Sequence, residues 1–93
     1  MVVVSLAPVS QVSTDKCERT YTDNISPRGA RVHSTSLWQL GEQAEIAPVK
    51  GETPICGEVV YCQKLDKDRF CVGLRFQRHI PWSILQRFDS MLI

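Results

Sequence analysis

Residues 55–76 read ICGEVVYCQKLDKDRFCVGLRF, and this stretch decides the fold. Over 55–64, Ile55, Gly57, Val59 and Tyr61 share one face, as side chains do on a strand with its period of two. Asp66-Lys67-Asp68-Arg69 is a charged tip. Beyond it Phe70, Val72, Leu74 and Phe76 alternate with Cys71, Gly73 and Arg75, the pattern of a half-buried strand. That alternation leaves the Cys71 thiol on the solvent side.

Strand signals continue upstream. Residues 2–12 are rich in valine and nearly uncharged, and Pro8 within them points to an edge strand or a bulge. A turn at 13–16 leads into 17–25, which alternates loosely around Thr20, Tyr21 and Thr22. Ser26-Pro27-Arg28-Gly29 is a strong turn, because proline suits an early turn position and glycine accepts positive φ. Residues 30–33 resume a short strand, and 37–42 read as a loop or single helical turn that includes Gly41. Over 43–49, Ala44, Ile46 and Pro48 face one way and Glu45, Ala47 and Val49 the other, before breakers at 50–54. Six short strands joined by tight turns favour a small antiparallel barrel or sandwich.

The tail changes period. After Pro81, a residue favoured at the first helical position, Ile84, Leu85, Phe88 and Leu92 recur at helical spacing. This predicts an amphipathic helix over about 81–92 that caps the barrel mouth. The alternative is a partner-binding helix on which Trp82, Phe88 and Met91 mark the docking surface.

A chain of 93 residues fits one domain, spanning 1–93, and its 43% apolar and 23% charged residues are ordinary globular values. Eleven Lys and Arg against ten Asp and Glu leave +1, too little to grip long nucleic acid by charge alone. No stretch approaches the roughly 20 apolar residues of a membrane-spanning helix. Residues 1–9 lack the positive charge that opens a secretory signal, so the expectation is cytoplasmic. Cys17, Cys56, Cys62 and Cys71 form no C-x-x-C, and His33 and His79 stand apart. Buried or half-buried free thiols are therefore expected, not disulfides or a metal site.

No phosphate-binding G-x-x-x-x-G-K, nucleophile elbow or H-E-x-x-H is present, and spacing nominates no acid–base–nucleophile set. The expectation is a non-enzyme without metal or cofactor. The informative stretch is Asn24-Ile25-Ser26-Pro27-Arg28-Gly29, flanked by Arg19 and Arg31. Short polar side chains give directional hydrogen bonds, glycine lets a ligand approach the backbone, and arginine grips phosphate or a guanine edge. Against this stands the plainer reading that Asn24 and Ser26 satisfy turn backbone groups and that Arg28 is solvated. Trp38 either packs in the core or stacks on a base. Arg75, Arg78 and His79 form a small basic cluster or a solvated strand end.

At this turn the chain resembles the PilZ family, bacterial receptors for cyclic di-GMP. The family's Asp/Asn-x-Ser-x-x-Gly signature is matched by Asn24, Ser26 and Gly29, and continues into Ala30-Arg31-Val32. Leu40-Gly41-Glu42, Gly57-Glu58-Val59-Val60-Tyr61 and Val72-Gly73-Leu74-Arg75-Phe76 are similar to later family elements, in order, over residues 2–78. The resemblance implies an all-β, six-stranded antiparallel barrel with a C-terminal helix. It also implies cyclic di-GMP as ligand, held by Asn24, Ser26 and Gly29 with help from Arg28 or Arg31, and a downstream bacterial protein as partner.

One element departs. The family's Arg-x-x-x-Arg, which clamps guanines and phosphates from ahead of the first strand, occurs nowhere here, through divergence or because a longer polypeptide was cut. Each charge-assisted hydrogen bond contributes roughly 1.5–3 kcal/mol, so losing two arginines weakens binding about a hundredfold or more. The expectation is thus a signalling domain with weak or lost cyclic di-GMP binding. The alternative is a ligand-free interaction module working through its barrel surface and C-terminal helix.

Overall fold

The computed structural model describes residues 2–9, 17–48 and 54–89. Six strands form: β1 (Val2–Pro8), β2 (Glu18–Ile25), β3 (Gly29–Ser34), β4 (Gln43–Ala47), β5 (Ile55–Asp66) and β6 (Arg69–Phe76). One helix, α1 (Trp82–Asp89), follows. The strands are antiparallel and close into a barrel in the order β1-β2-β3-β6-β5-β4, with β4 pairing back onto β1. The fold is the six-stranded barrel with a short C-terminal helix. The rest of the 2–12 strand, the turns at 13–16 and 50–52, Met91 and Leu92 lie outside the described residues.

Closure removes the edge on which one reading of Pro8 depended. Pro8 is instead the last residue of β1, opposite Ala44 and buried, where a missing N–H disturbs the ladder least. Alternation fills the interior: Val4, Leu6, Val32, Ile46, Val59 and Val72 are each no more than 1% exposed. Trp38 joins them and donates its indole N–H to Ser34 Oγ at 3.0 Å, so it is a core residue and not a base-stacking one. Gly41 takes φ +87° in the turn before β4, a conformation open to glycine without steric cost.

The helix packs on its own barrel. Leu85 and Phe88 are each 1% exposed and belong to the same core as the strand residues, whereas Trp82 is 59% exposed. Pro81 stands just before the first helical residue, and its carbonyl accepts the Leu85 N–H at 3.2 Å. Eight residues are too few for a stable helix in water, so this packing holds it.

Three register shifts interrupt the ladders, at Thr22/Asn24, Val59/Tyr61 and Lys64/Asp66, and the first two bear on the candidate site. In β2 the shift falls between Thr22 and Asn24, with Asp23 the extra residue. Thr22 points inward and is 1% exposed; Asn24 is turned outward, and Ile25 packs against the core. Thr22 Oγ1 occupies the gap, 2.6 Å from the Arg31 carbonyl and 2.8 Å from the Asn24 carbonyl. It also accepts the Asn24 N–H at 3.3 Å. Backbone groups loosened by the irregularity therefore keep partners, as buried polar groups require.

In β5 the shift falls between Val59 and Tyr61. Sequence spacing put Tyr61 on the inner face with Ile55, Gly57 and Val59, but Tyr61 is 41% exposed and Cys62 turns toward the core. One extra residue moves every later side chain to the opposite face. Cys71, expected on the solvent side, is covered instead. It is 8% exposed, and it lies beside the Tyr61 side chain.

Candidate functional site

The turn between β2 and β3 is built from local bonds. Ser26 N–H donates to the Gly29 carbonyl at 2.9 Å, and Ser26 Oγ lies 3.4 Å from the same carbonyl while accepting the Arg28 N–H at 3.3 Å. The chain leaving β6 clamps the turn from outside. Phe76 N–H donates to the Arg28 carbonyl at 2.8 Å, and Ile80 N–H donates to the Pro27 carbonyl at 2.9 Å. Gly29 has its own steric reason. A β-carbon there would collide with the Leu74 carbonyl oxygen and sit 3.4 Å from the carbonyl carbon, so β3 could not lie this close to β6.

The five residues singled out by the turn signature come together. Asn24, Ser26, Arg28, Gly29 and Arg31 line one shallow depression of about 270 Å³ on the outer barrel face, joined by Val60, Tyr61, Gly73 and Arg75. The ladder explains why. Asn24 pairs with Arg31, Arg31 with Gly73, and Gly73 with Tyr61, giving one row across β2, β3, β6 and β5. Both ends of that row face outward only because of the first two register shifts. A second row, Gly29–Arg75–Glu58, runs beside it.

The charges are partly matched. Arg31 Nε donates to Asp23 Oδ1 at 2.8 Å, and Arg75 Nη2 donates to Glu58 Oε1 at 2.9 Å. The Arg31 hydrogen bond holds the Asp23 carboxyl below the usual carboxylate range, more than offsetting burial, and His33 acts in the same direction. A depressed folded value means the pair's stabilisation is present above the ordinary carboxylate range. It fades as pH falls through that depressed value. The Arg28 guanidinium has no ion-pair partner among the described residues.

His33 Nε2 lies 3.2 Å from Asp23 Oδ2, and the His33 ring stacks on Tyr21 with centroids 4.3 Å apart. Arg69 in turn donates to the Tyr21 hydroxyl at 3.0 Å. This girdle of side chains fixes the outer face of β2 and β3 beside the depression.

The basic cluster of Arg75, Arg78 and His79 is split. Arg75 lines the depression, whereas Arg78 lines a larger concavity of about 560 Å³ at the end of the barrel, with Pro54, Ile55, Ile80 and Ile84. That concavity has greater volume but fewer polar side chains along its lining. The depression is the better candidate on its chemistry. Cys17 is exposed, Cys56 and Cys62 are half-buried and Cys71 is buried, all with free thiols. No group of three metal-ligating side chains occurs among the described residues, and no described helix is long and apolar enough to cross a membrane.

Sequence reasoning missed Tyr61 and Asp23. A visible signal existed for the first: Val59-Val60-Tyr61 is an apolar run that interrupts strict alternation. No family model matches the chain, and no match was found among curated proteins or solved structures.

Proposed function

We propose that this chain is a PilZ-type second-messenger barrel that binds cyclic di-GMP weakly at the outer depression and passes occupancy to a protein partner. The observation that carries the reading is the row Asn24–Arg31–Gly73–Tyr61, turned outward at both ends beside the Ser26–Gly29 turn. It offers amide and hydroxyl groups, guanidinium groups and an aromatic ring on one surface, which suits a planar, anionic ligand. Weakness has two sources. The sequence carries no Arg-x-x-x-Arg, and Asp23 and Glu58 already occupy Arg31 and Arg75. A route outward exists as well, since the turn carbonyls hold the segment that leads into α1.

Titration calorimetry tests this. The intact chain should show weak heat with cyclic di-GMP, and the double variant Asn24→Ala, Ser26→Ala should show none. Asp23→Asn removes the carboxylate competing for Arg31, and should tighten binding by about tenfold, one charge-assisted hydrogen bond's worth. Heat unchanged in the double variant overturns the reading.

A ligand-free interaction module is the second reading. Two signature positions have structural work of their own: Ser26 closes the turn and Gly29 makes room for the Leu74 carbonyl. Absence of heat for the wild type at millimolar ligand selects it.

A further inference from the structure

We propose that two copies of this chain pair, antiparallel and two-fold related, along the open side of β5. β5 has twelve residues and β4 only five, so β4 covers it from Ile55 to Glu58 and then stops. The turn before β4 closes one more position: Gly41 N–H donates to the Val59 carbonyl at 2.8 Å, and Val59 N–H donates to the Glu42 carbonyl at 2.9 Å. From Val60 to Asp66, no described strand lies on the side away from β6.

The direction of the backbone groups there follows from β6. Phe76 N–H turns toward β3, where the Arg28 carbonyl accepts it at 2.8 Å. β6 pairs with β3 without a break, so Leu74, Val72 and Phe70 turn the same way, and Gly73 and Cys71 turn to β5. Gln63 lies opposite Cys71 and directs its N–H and C=O to β6. Cys62 and Lys64, opposite Val72 and Phe70, turn theirs to the open side. Among the described residues those two N–H groups find no backbone partner.

Such a strand side is a template for another extended chain. The residues around Gln63 select a second copy. With the two-fold axis at Gln63, Cys62 meets the partner's Lys64 and Lys64 meets the partner's Cys62, each pair exchanging both N–H···O=C bonds. Tyr61 falls opposite the partner's Leu65, which joins positions that are 41% and 48% exposed in the single chain. The exposed Gln63 side chains meet at the axis, amide to amide. A lysine on an edge ordinarily discourages pairing. In this register Lys64 faces a cysteine, and the two lysines are not opposed. A contact of this length is small, so the association is weak and shows only at high concentration. The pairing needs no ligand and stands apart from the nucleotide reading.

Amide hydrogen exchange of the intact chain, followed by NMR at about 50 μM and about 1 mM, tests the pairing. The Cys62 and Lys64 amides should exchange severalfold more slowly at the higher concentration, while Gln63, bonded within the barrel, should be unchanged. Sedimentation velocity should show the matching passage from monomer to dimer. Gln63→Lys sets like charges against each other at the axis and should abolish both effects. Lys64→Pro removes an open-side N–H without touching the β6 ladder and should do the same. Both variants should melt within about 3 °C of wild type, as substitutions at exposed positions do. Fast exchange of Cys62 and Lys64 at both concentrations overturns the proposal, the result expected if the edge serves a different protein. Slow exchange at both overturns it too, because the edge is then covered within one chain. Dimerisation untouched by Gln63→Lys puts the contact elsewhere and likewise overturns it. The wild-type exchange readout decides whether or not a variant folds.

Discussion

Replacing Phe88 with alanine should lower the melting temperature by roughly 15–30 °C, the largest single effect expected in this molecule. Phe88 is 1% exposed at the barrel mouth, together with Leu85, and α1 has only eight residues to hold itself in place. Truncating a buried phenylalanine costs about 3–5 kcal/mol, and a domain of this size has only about 5–14 kcal/mol in total. Each kcal/mol moves the midpoint by about 4–8 °C. Trp82→Ala on the same helix serves as the control. With 59% of that residue already exposed, its midpoint should stay within about 3 °C of wild type. Thermal denaturation followed by circular dichroism decides the matter. Equal, small shifts in both variants would mean that α1 does not seal its own barrel.

Gly29→Ala should be the second largest effect, about 2–3 kcal/mol or some 10–20 °C in midpoint. Its added carbon meets the Leu74 backbone carbonyl, not the movable end of a side chain. Relief requires β3 and β6 to separate at Gly29↔Arg75, which also strains the Phe76 N–H bond to the Arg28 carbonyl. The outcome matters for function because Gly29 belongs to the turn signature. A large loss of stability means that the glycine permits close strand packing before it serves any ligand. A midpoint within a degree or two of wild type would mean that the signature glycine answers to binding alone.

The barrel was legible because its strands alternate plainly and its turns are marked. Residues 70–76 keep period two without a break, the Asp66–Arg69 tip is unmistakable, and Pro27 with Gly29 marks a corner. The turn residues of the site were legible too, since Asn24, Ser26, Arg28, Gly29 and Arg31 lie close along the chain. What local pattern does not carry is the pairing of β3 with β6, which are far apart in sequence. That pairing brings Arg75, Gly73 and then Tyr61 to the corner. Nor does composition reveal a register shift: one extra residue at Asp23 or Val60 leaves every propensity unchanged yet turns the later side chains of the strand to the opposite face. The side assigned to Tyr61 failed for that reason; Cys71 keeps the outer side its alternation predicts, and loses its exposure to the Tyr61 side chain turned beside it. The Asp23–Arg31 pair joins two strands, which local pattern does not carry either, and the β2 irregularity turns Asn24 outward beside it.

Amide correlation NMR on isotope-labelled protein titrated with cyclic di-GMP gives the sharpest check on the nucleotide reading. Weak binding is no obstacle to this measurement, and it reports position. Progressive shifts are expected at Asn24, Ser26, Arg28, Gly29, Arg31, Tyr61 and Gly73, with a smaller echo at Ile80 through its bond to Pro27. Shifts centred on Ile55, Arg78 and Ile84, or none at millimolar ligand, would contradict it.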